Sequence, residues 1–278
     1  ESRGLGDVYK RQCILWSGGK SMSSDKLPPI SVQLYSVREQ SEKNFDLVLD
    51  LISKIGFAGV EPFNLFGKNP RDFKKQVNDL GMEVSSTHFP WATRTMEIGK
   101  LSEIIQELGL ARAPGGLAPQ NVRDIISINK TIDDLGSLMS ELERYGLPLF
   151  LHNHHWEFEL VDGRPAYHYI QDALPKLQFQ IDTYWAANFG KNNPVEEIER
   201  VKSRTPLAHI KDGPLLPEKA HVAVGDGDMD FKAIFDAFDP DIFEWAVVEL
   251  DYCDTDMMTA LARSYRYLIR ENLARGNV

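Results

Sequence analysis

An α/β fold, a single closed (β/α)8 barrel, is what the sequence predicts, on three observations. Short apolar runs alternate with amphipathic stretches from Lys26 onward. Eight such runs follow one another with no break in composition between them, the pattern of a parallel sheet wrapped by helices. The chain's 278 residues suit one barrel, a fold that commonly takes about 250. An open doubly wound sheet is the competing architecture. It usually places a glycine-rich phosphate turn after its first strand, and Tyr35-Ser36-Val37-Arg38 is not one.

The start of the chain is set apart. Asp7-Val8-Tyr9-Lys10-Arg11-Gln12 reads as the translation of a transposon-end adapter used in DNA library preparation. Residues 1–12 are therefore expected to be an assembly artefact, a natural disordered arm being the alternative. On that reading the natural start is missing and a secretory signal could have stood upstream. The compartment, cytoplasmic or periplasmic, is left open. Residues 13–28 read as a poorly specified lead-in, and the barrel domain is expected over 29–275.

Ile30–Tyr35 is β-rich and opens the barrel. Phe45, Val48, Leu49, Leu51, Ile52 and Ile55 then recur at helical spacing, and Gly56 sits where a glycine closes a helix. Gly59–Glu61 is the second strand, followed by a helix near Pro70–Leu80 that Gly81 ends. Glu83–Thr87 is the third, followed by a helix over Met96–Leu108 that stops at Gly109. The fourth strand, Ala111–Pro114, is short and runs into two glycines. A helix from about Val122 to Tyr145 leads through Gly146-Leu147-Pro148 into the fifth strand, Leu149–His152. Phe179–Asp182, Leu207–Ile210 and Ala246–Leu250 complete the set, separated by helices near Pro194–Ser203 and Phe231–Phe238. Thr255–Ala274 is the closing helical stretch.

Composition excludes several classes of function. The formal charge is −10 with no basic stripe, whereas nucleic-acid phosphates demand clustered Lys and Arg. No run approaches the roughly 20 apolar residues of a membrane span. Cys13 and Cys253 are the only cysteines, too few for a disulfide framework or a thiolate metal site.

The chemistry of such a barrel gathers at the carboxyl ends of its strands. The polar residues that end these strands are Glu61, His88, His152 with His154, Asp182, His209 and Glu249. Imidazole with carboxylate is a donor set for Mn²⁺, Zn²⁺, Fe²⁺ or Co²⁺, and the four late strands can surround one ion. Blander readings exist for each residue. His209 alone would be a structural histidine, and Asp182 a helix cap. Glu249, ending a buried strand, has few innocent explanations besides an ion pair.

Leu151-His152-Asn153-His154-His155-Trp156-Glu157-Phe158 is the most unusual segment. As a solvated loop it would carry no function. If the strand continues, His152 and His154 share a face, so that one can ligate an ion while the other contacts substrate or orients a ligand. Glu157 is close enough to fold back as an acid or base. His88, beside Phe89 and Trp91, suits stacking on a sugar face or forms an aromatic rim. Lys211 offers a cation to a substrate oxygen or a developing oxyanion. Val224-Gly225-Asp226-Gly227-Asp228 borders the site or is an ordinary turn.

In their order along the chain, several of these motifs carry a resemblance. They are Ser31-Val32-Gln33-Leu34-Tyr35, Gly56-Phe57-Ala58-Gly59-Val60-Glu61, His152-Asn153-His154 with Glu157-Phe158, Asp182-Thr183-Tyr184-Trp185, His209-Ile210-Lys211-Asp212, Val224–Asp228 and Val247-Val248-Glu249. Over roughly residues 29–272 the chain resembles the xylose isomerase-like TIM-barrel superfamily, the sugar phosphate isomerases/epimerases. That resemblance implies one divalent ion held by Glu, Asp, His and Glu from the last four strands. Asp182, His209 and Glu249 match. His152 stands where many members have the first glutamate, so the pair of glutamates that moves protons about an enediolate is incomplete here. The His-Asn-His…Glu-Phe subgroup is associated with keto sugars and glycosides, including elimination.

The resemblance thus implies a sugar isomerase or epimerase, with a metal-dependent lyase or dehydratase as the alternative. The ion, Mn²⁺ first and Zn²⁺, Co²⁺, Fe²⁺ or Mg²⁺ otherwise, is expected on His152, Asp182, His209 and Glu249. Glu249, Glu157 and Lys211 are the expected catalytic groups, and Glu61, His88, His154 and Trp185 the substrate-binding ones. The partner implied is a small carbohydrate. Two remote alternatives are a non-catalytic sugar-binding barrel and an abasic-site endonuclease. The acidic charge opposes the latter, as does Trp185, where such nucleases have a further histidine.

Overall fold

In the computed structural model of the protein, residues 26–277 are described. The adapter-like stretch 1–12 and the lead-in over 13–25 lie outside them. Eight strands form one parallel sheet: β1 (Ile30–Gln33), β2 (Gly59–Glu61), β3 (Glu83–Val84), β4 (Ala113–Gly116), β5 (Leu149–His152), β6 (Gln178–Asp182), β7 (Leu207–Ile210) and β8 (Trp245–Val248). Their order is β3-β2-β1-β8-β7-β6-β5-β4, a curled sheet in which the first and last strands in sequence are neighbours. Parallel neighbours need crossovers, and α1 (Arg38–Ile55), α2 (Pro70–Asp79), α3 (Ile98–Leu108), α4 (Ile125–Glu143), α5 (Ala166–Ala173), α6 (Thr183–Ala186), α7 (Pro194–Val201) and α8 (Phe231–Ala237) supply them; α9 (Met257–Arg270) follows β8.

Strands covered on both faces are mostly apolar, and β1, β5 and β7 are buried at every residue, their few polar side chains (Ser31, Gln33, His152, His209) included. Each helix turns one stripe inward; α1 buries Phe45, Val48, Leu49 and Ile52. Gly56 ends α1 at φ +113°, its N–H returning to the carbonyls of Ile52 and Ser53.

The ladder does not join β3 to β4. Pro114 lies in β4 and has no N–H to give. Its neighbour Ala113 donates toward β5, to Pro148 O at 2.9 Å, so Pro114 faces the seam, where its carbonyl accepts from Ala92 N–H at 2.7 Å. A proline is tolerated there because that edge carries no regular ladder.

Several local expectations shift. The third strand keeps only Glu83–Val84 of Glu83–Thr87, so His88 lies on the loop beyond it. The first strand stops at Gln33, whose side chain accepts from Tyr35 N–H and turns the chain into a 3₁₀ turn over Leu34–Val37. The fourth strand lies two residues later than Ala111–Pro114. Between β5 and β6 the chain forms an antiparallel hairpin, Leu160–Val161 with Arg164–Pro165, and then α5, neither of which was expected. The signal was present: Asp162-Gly163, both at positive φ (50° and 78°), is a preferred two-residue hairpin turn.

Candidate active site

The polar strand ends converge at one end of the barrel. Glu61, His152 and Asp182 are the last residues of β2, β5 and β6; Lys211 and Glu249 lie just past β7 and β8. Parallel register sets Asp182 beside His209, and Gln33 beside Glu61. Asn153 ties two strand ends together, donating to Asp182 O at 3.1 Å and accepting from Asp182 N–H at 3.0 Å.

His152, Asp182, His209 and Glu249 are all buried, and one potential ligand atom of each lies within 4.8 Å of the others. His209 bridges two carboxylates: Nδ1 is 2.7 Å from Glu249 Oε2 and Nε2 is 2.6 Å from Glu61 Oε1. Burial disfavours its charge, but Glu61 and Glu249 outweigh that and push its pKa up to about 10. Lys211 Nζ lies 2.8 Å from Glu249 Oε2 and 3.0 Å from both Asp182 Oδ2 and Asp251 Oδ1. These three acids hold the buried ammonium charged, its pKa well above the usual lysine value. Reciprocally, Lys211 and His209 overcome the burial of Glu249 and keep its carboxyl well below the ordinary range. Burial dominates at Asp182, raising it to about 6 against the pull of Lys211 and His209.

Glu61, expected at the substrate, lies beneath it. It is fully buried and accepts from Gln33 Nε2 at 2.6 Å, Gln180 Nε2 at 2.5 Å, and Ser86 Oγ. Burial opposes its charge, yet His88, His209 and these donors bring its pKa down to about 2. It is the anion that seats His209, and a ring of neighbouring side chains keeps it from a ligand.

A cavity of about 540 Å³ opens above the cluster. Its floor and sides include His88, His152, His154, Lys211, Glu249 and Asp251; its rim is Tyr35, Arg38, Phe63, Trp91 and Tyr252. Of the expected substrate residues, His88 and His154 face it. Trp185 does not line it; its ring lies 5.3 Å from Lys211 Nζ. Two of the cavity's imidazoles, His152 and His154, hold a proton weakly. Burial, reinforced by His209 and His88, carries His152 well below the usual value, and burial with Lys211 lowers His154 to about 3.

Glu157 does not reach the cavity either. It is fully buried, with Oε2 accepting from His154 N–H at 2.9 Å and Oε1 without a partner. Burial raises its carboxyl well above 4.5. The folded chain therefore keeps a proton that the unfolded chain releases. Stability is full below the unfolded value and falls as pH rises toward the folded one. Glu157→Gln keeps the acceptor and removes the titration. As pH rises above the ordinary carboxylate range it should gain on the parent by up to about 1.4 kcal/mol per pH unit until the folded carboxyl ionises, read from urea unfolding of both proteins. Parallel stability curves would show that Glu157 titrates normally.

One pairing exists only in three dimensions. Asp212 accepts backbone N–H bonds from Gly213, Gly225, Gly227 and Met229 at 2.8–3.2 Å, which pins the Val224–Asp228 loop from inside. A side chain at Gly227 would collide with Asp212 Oδ1, which explains the glycine. Asp212 and Gly227 both stood in motifs read from the sequence; their pairing did not.

The donor set fits a divalent ion. His152 Nδ1 is buried with no hydrogen-bond partner, a state that costs about 1–3 kcal/mol, and Asp182 Oδ2, likewise buried, has none besides its ion-pair contact with Lys211. They converge with His209 and Glu249, and two imidazoles with two carboxylates suit Mn²⁺, Fe²⁺, Co²⁺ or Zn²⁺. A second convergence, His88, His152 and His209, fits less well: it brings no carboxylate, and His88 Nε2 already lies 2.7 Å from Gln180 Oε1.

Comparison with known proteins gives the same architecture. A family model described as xylose isomerase-like TIM barrel matches residues 49–270. No curated protein matches the sequence. Among solved structures, a sugar phosphate isomerase/epimerase from Parabacteroides distasonis superposes with TM-score 0.73 at 21% identity, covering 93% of this chain and 98% of that one. D-allulose 3-epimerase from Methylomonas sp., in complex with D-allulose, gives 0.65 at 14% identity over 88% and 97%. The probable 3-DHS dehydratase AsbF from Bacillus anthracis gives 0.68 at 11% over 87% and 98%. At these identities the likeness is one of fold.

Proposed function

The chain belongs to the xylose isomerase-like TIM barrel family, and from that premise we propose that it is a divalent-metal-dependent isomerase or epimerase acting on a keto sugar or related carbohydrate. The reading rests above all on His152, Asp182, His209 and Glu249 converging, two of their atoms without a hydrogen-bond partner, beneath a cavity rimmed by aromatic rings. Those four residues would hold the ion, Mn²⁺ first by the family resemblance. When bound, it supplies Lewis-acid polarisation of a substrate carbonyl, on the order of several kcal/mol of charge stabilisation.

The remaining work falls to the chain itself. Glu249 is the carboxylate on the cavity wall suited to take a proton from the carbon next to that carbonyl. Its contacts with Lys211 and His209 depress its basicity, so those contacts must loosen when substrate is seated. His154 and His88, neutral and facing the same space, can accept or return a proton on another side. Tyr35, Phe63, Trp91 and Tyr252 offer faces for a sugar ring and exclude water. Glu157, behind His154, positions that histidine's backbone.

A second reading, elimination, is favoured by one observation: three imidazoles, His88, His152 and His154, line the cavity with Glu249, and by the family resemblance His152 takes the place of one of the paired glutamates. One experiment separates the two. Protein loaded with Mn²⁺ is incubated in deuterated water with ketohexoses, keto-glycosides and cyclitol ketones and followed by proton NMR. Loss of the signal beside the carbonyl, with the carbon skeleton intact, is expected for an isomerase or epimerase. An unsaturated ketone with release of a leaving group would move the assignment to a lyase. Failure to exchange, rearrange or eliminate any of these would reject the catalytic reading.

A further inference from the structure

Lys211 and the ion cannot occupy the site in the same way. Nζ lies within 3.0 Å of Asp182 Oδ2 and 2.8 Å of Glu249 Oε2, carboxylates that also belong to the four-residue donor set. Two cations drawn to the same pair of carboxylates at such range repel strongly, the more so in a buried site of low dielectric. A third carboxylate is within reach of the ammonium. Asp251 lies outside the donor set, and its Oδ1 accepts from Lys211 Nζ at 3.0 Å with hydrogen-bond geometry. Asp182 Oδ2 has no hydrogen-bond partner despite its nearness to Nζ. The lysine is thus hydrogen-bonded to Asp251 and ion-paired with Asp182 and Glu249, the two contacts that a divalent ion would contest.

Asp251 is also firmly placed. Its N–H donates to His221 Nδ1 at 3.1 Å, and the preceding residue, Leu250, donates its N–H to Ser36 Oγ at 3.0 Å. His221 in turn donates its own N–H to Tyr252 O at 3.1 Å. The Asp251 side chain keeps 27% exposure on the cavity wall, so an ammonium drawn to it moves toward the cavity.

We propose that Asp251 is a positioning residue: it receives Lys211 when a divalent ion takes Asp182 and Glu249, which frees the donor set and turns the ammonium toward substrate. This deepens the metal-dependent reading and rests on it. Lys211 would serve as the counter-cation of these carboxylates and as a substrate contact once displaced from them.

The test is a titration of Mn²⁺ into purified protein, followed by calorimetry and by the Mn²⁺ paramagnetic resonance signal, without substrate. Asp251→Asn keeps an acceptor but not the charge, leaving the ammonium on Asp182 and Glu249. It should weaken Mn²⁺ binding by about tenfold or more, within the range for groups that orient a metal's ligands. Lys211→Met removes the competitor and should tighten binding. In the Lys211→Met background, Asp251→Asn should change affinity by no more than about threefold, the residue of a screened charge. An equal effect of Asp251→Asn in both backgrounds, or none in either, overturns the proposal while leaving the ion site standing. Absence of Mn²⁺ binding in both the parent protein and Lys211→Met would instead remove the metal-dependent reading itself.

Discussion

Replacing Asp182 and His209 together by asparagine should take the protein from one bound divalent ion per chain to none. Each contributes a ligand atom to the buried group of four, and the two residues face each other in register across β6 and β7. An amide at 182 can still accept the Trp185 N–H bond at the start of α6, so the local turn survives. An amide is a neutral and far weaker ligand for a hard cation, and asparagine in place of His209 is too short to reach where the imidazole does. Loss of both should weaken binding by more than about 100-fold, beyond what removal of an orienting group produces. Metal analysis after dialysis reads the result. Asp182→Asn alone, which keeps His209 between its two carboxylates, controls for misfolding. Stoichiometric metal surviving in a folded double variant would dissolve the ligand assignment.

Glu61→Ala should destabilise the fold by about 3–5 kcal/mol, the cost of breaking a buried ion pair by deleting one partner. The methyl group would leave Gln33 Nε2, Gln180 Nε2 and Ser86 Oγ without their acceptor, and the His209 imidazolium facing empty space. Glu61→Gln retains an oxygen for His209 but sets an amide N–H₂ against donors, so its loss should be smaller, about 1–3 kcal/mol. Urea unfolding of the metal-free proteins measures both. If Glu61→Ala costs less than about 1 kcal/mol, the carboxylate is not the anchor of this network.

Much of the fold was legible because barrel strands and helices announce themselves locally. Short, largely apolar runs such as Leu207–Ile210, and glycines such as Gly56 and Gly109 after helical periodicity, are signals of short range. The weaker points were equally physical. Ala113-Pro114-Gly115-Gly116 carries little strand propensity, and it pairs on one side only because the seam lies on its other side. The hairpin at Asp162-Gly163 had its turn signal but flanking strands of two residues each, too short to register as a pattern.

The site divides in the same way. Which residue types end which strands is a property of the sequence, so His152, Asp182, His209 and Glu249 stand out as a group in the sequence alone. Whether an end group faces the cavity or the layer beneath it depends on partners far away in the chain. Glu61 is sealed by Gln180 and His209, 119 and 148 residues away. Asp251, absent from every motif, gained its importance from a lysine 40 residues earlier. Burial and long-range hydrogen bonds set these charges, and both are properties of the packed barrel. The sequence by itself determined the barrel and the chemical set at its mouth; tertiary structure alone decided which of those groups are anchors, which are exposed and which compete for the same place. The reason is that side-chain type is local, while desolvation and charge pairing depend on what the fold brings within a few ångströms.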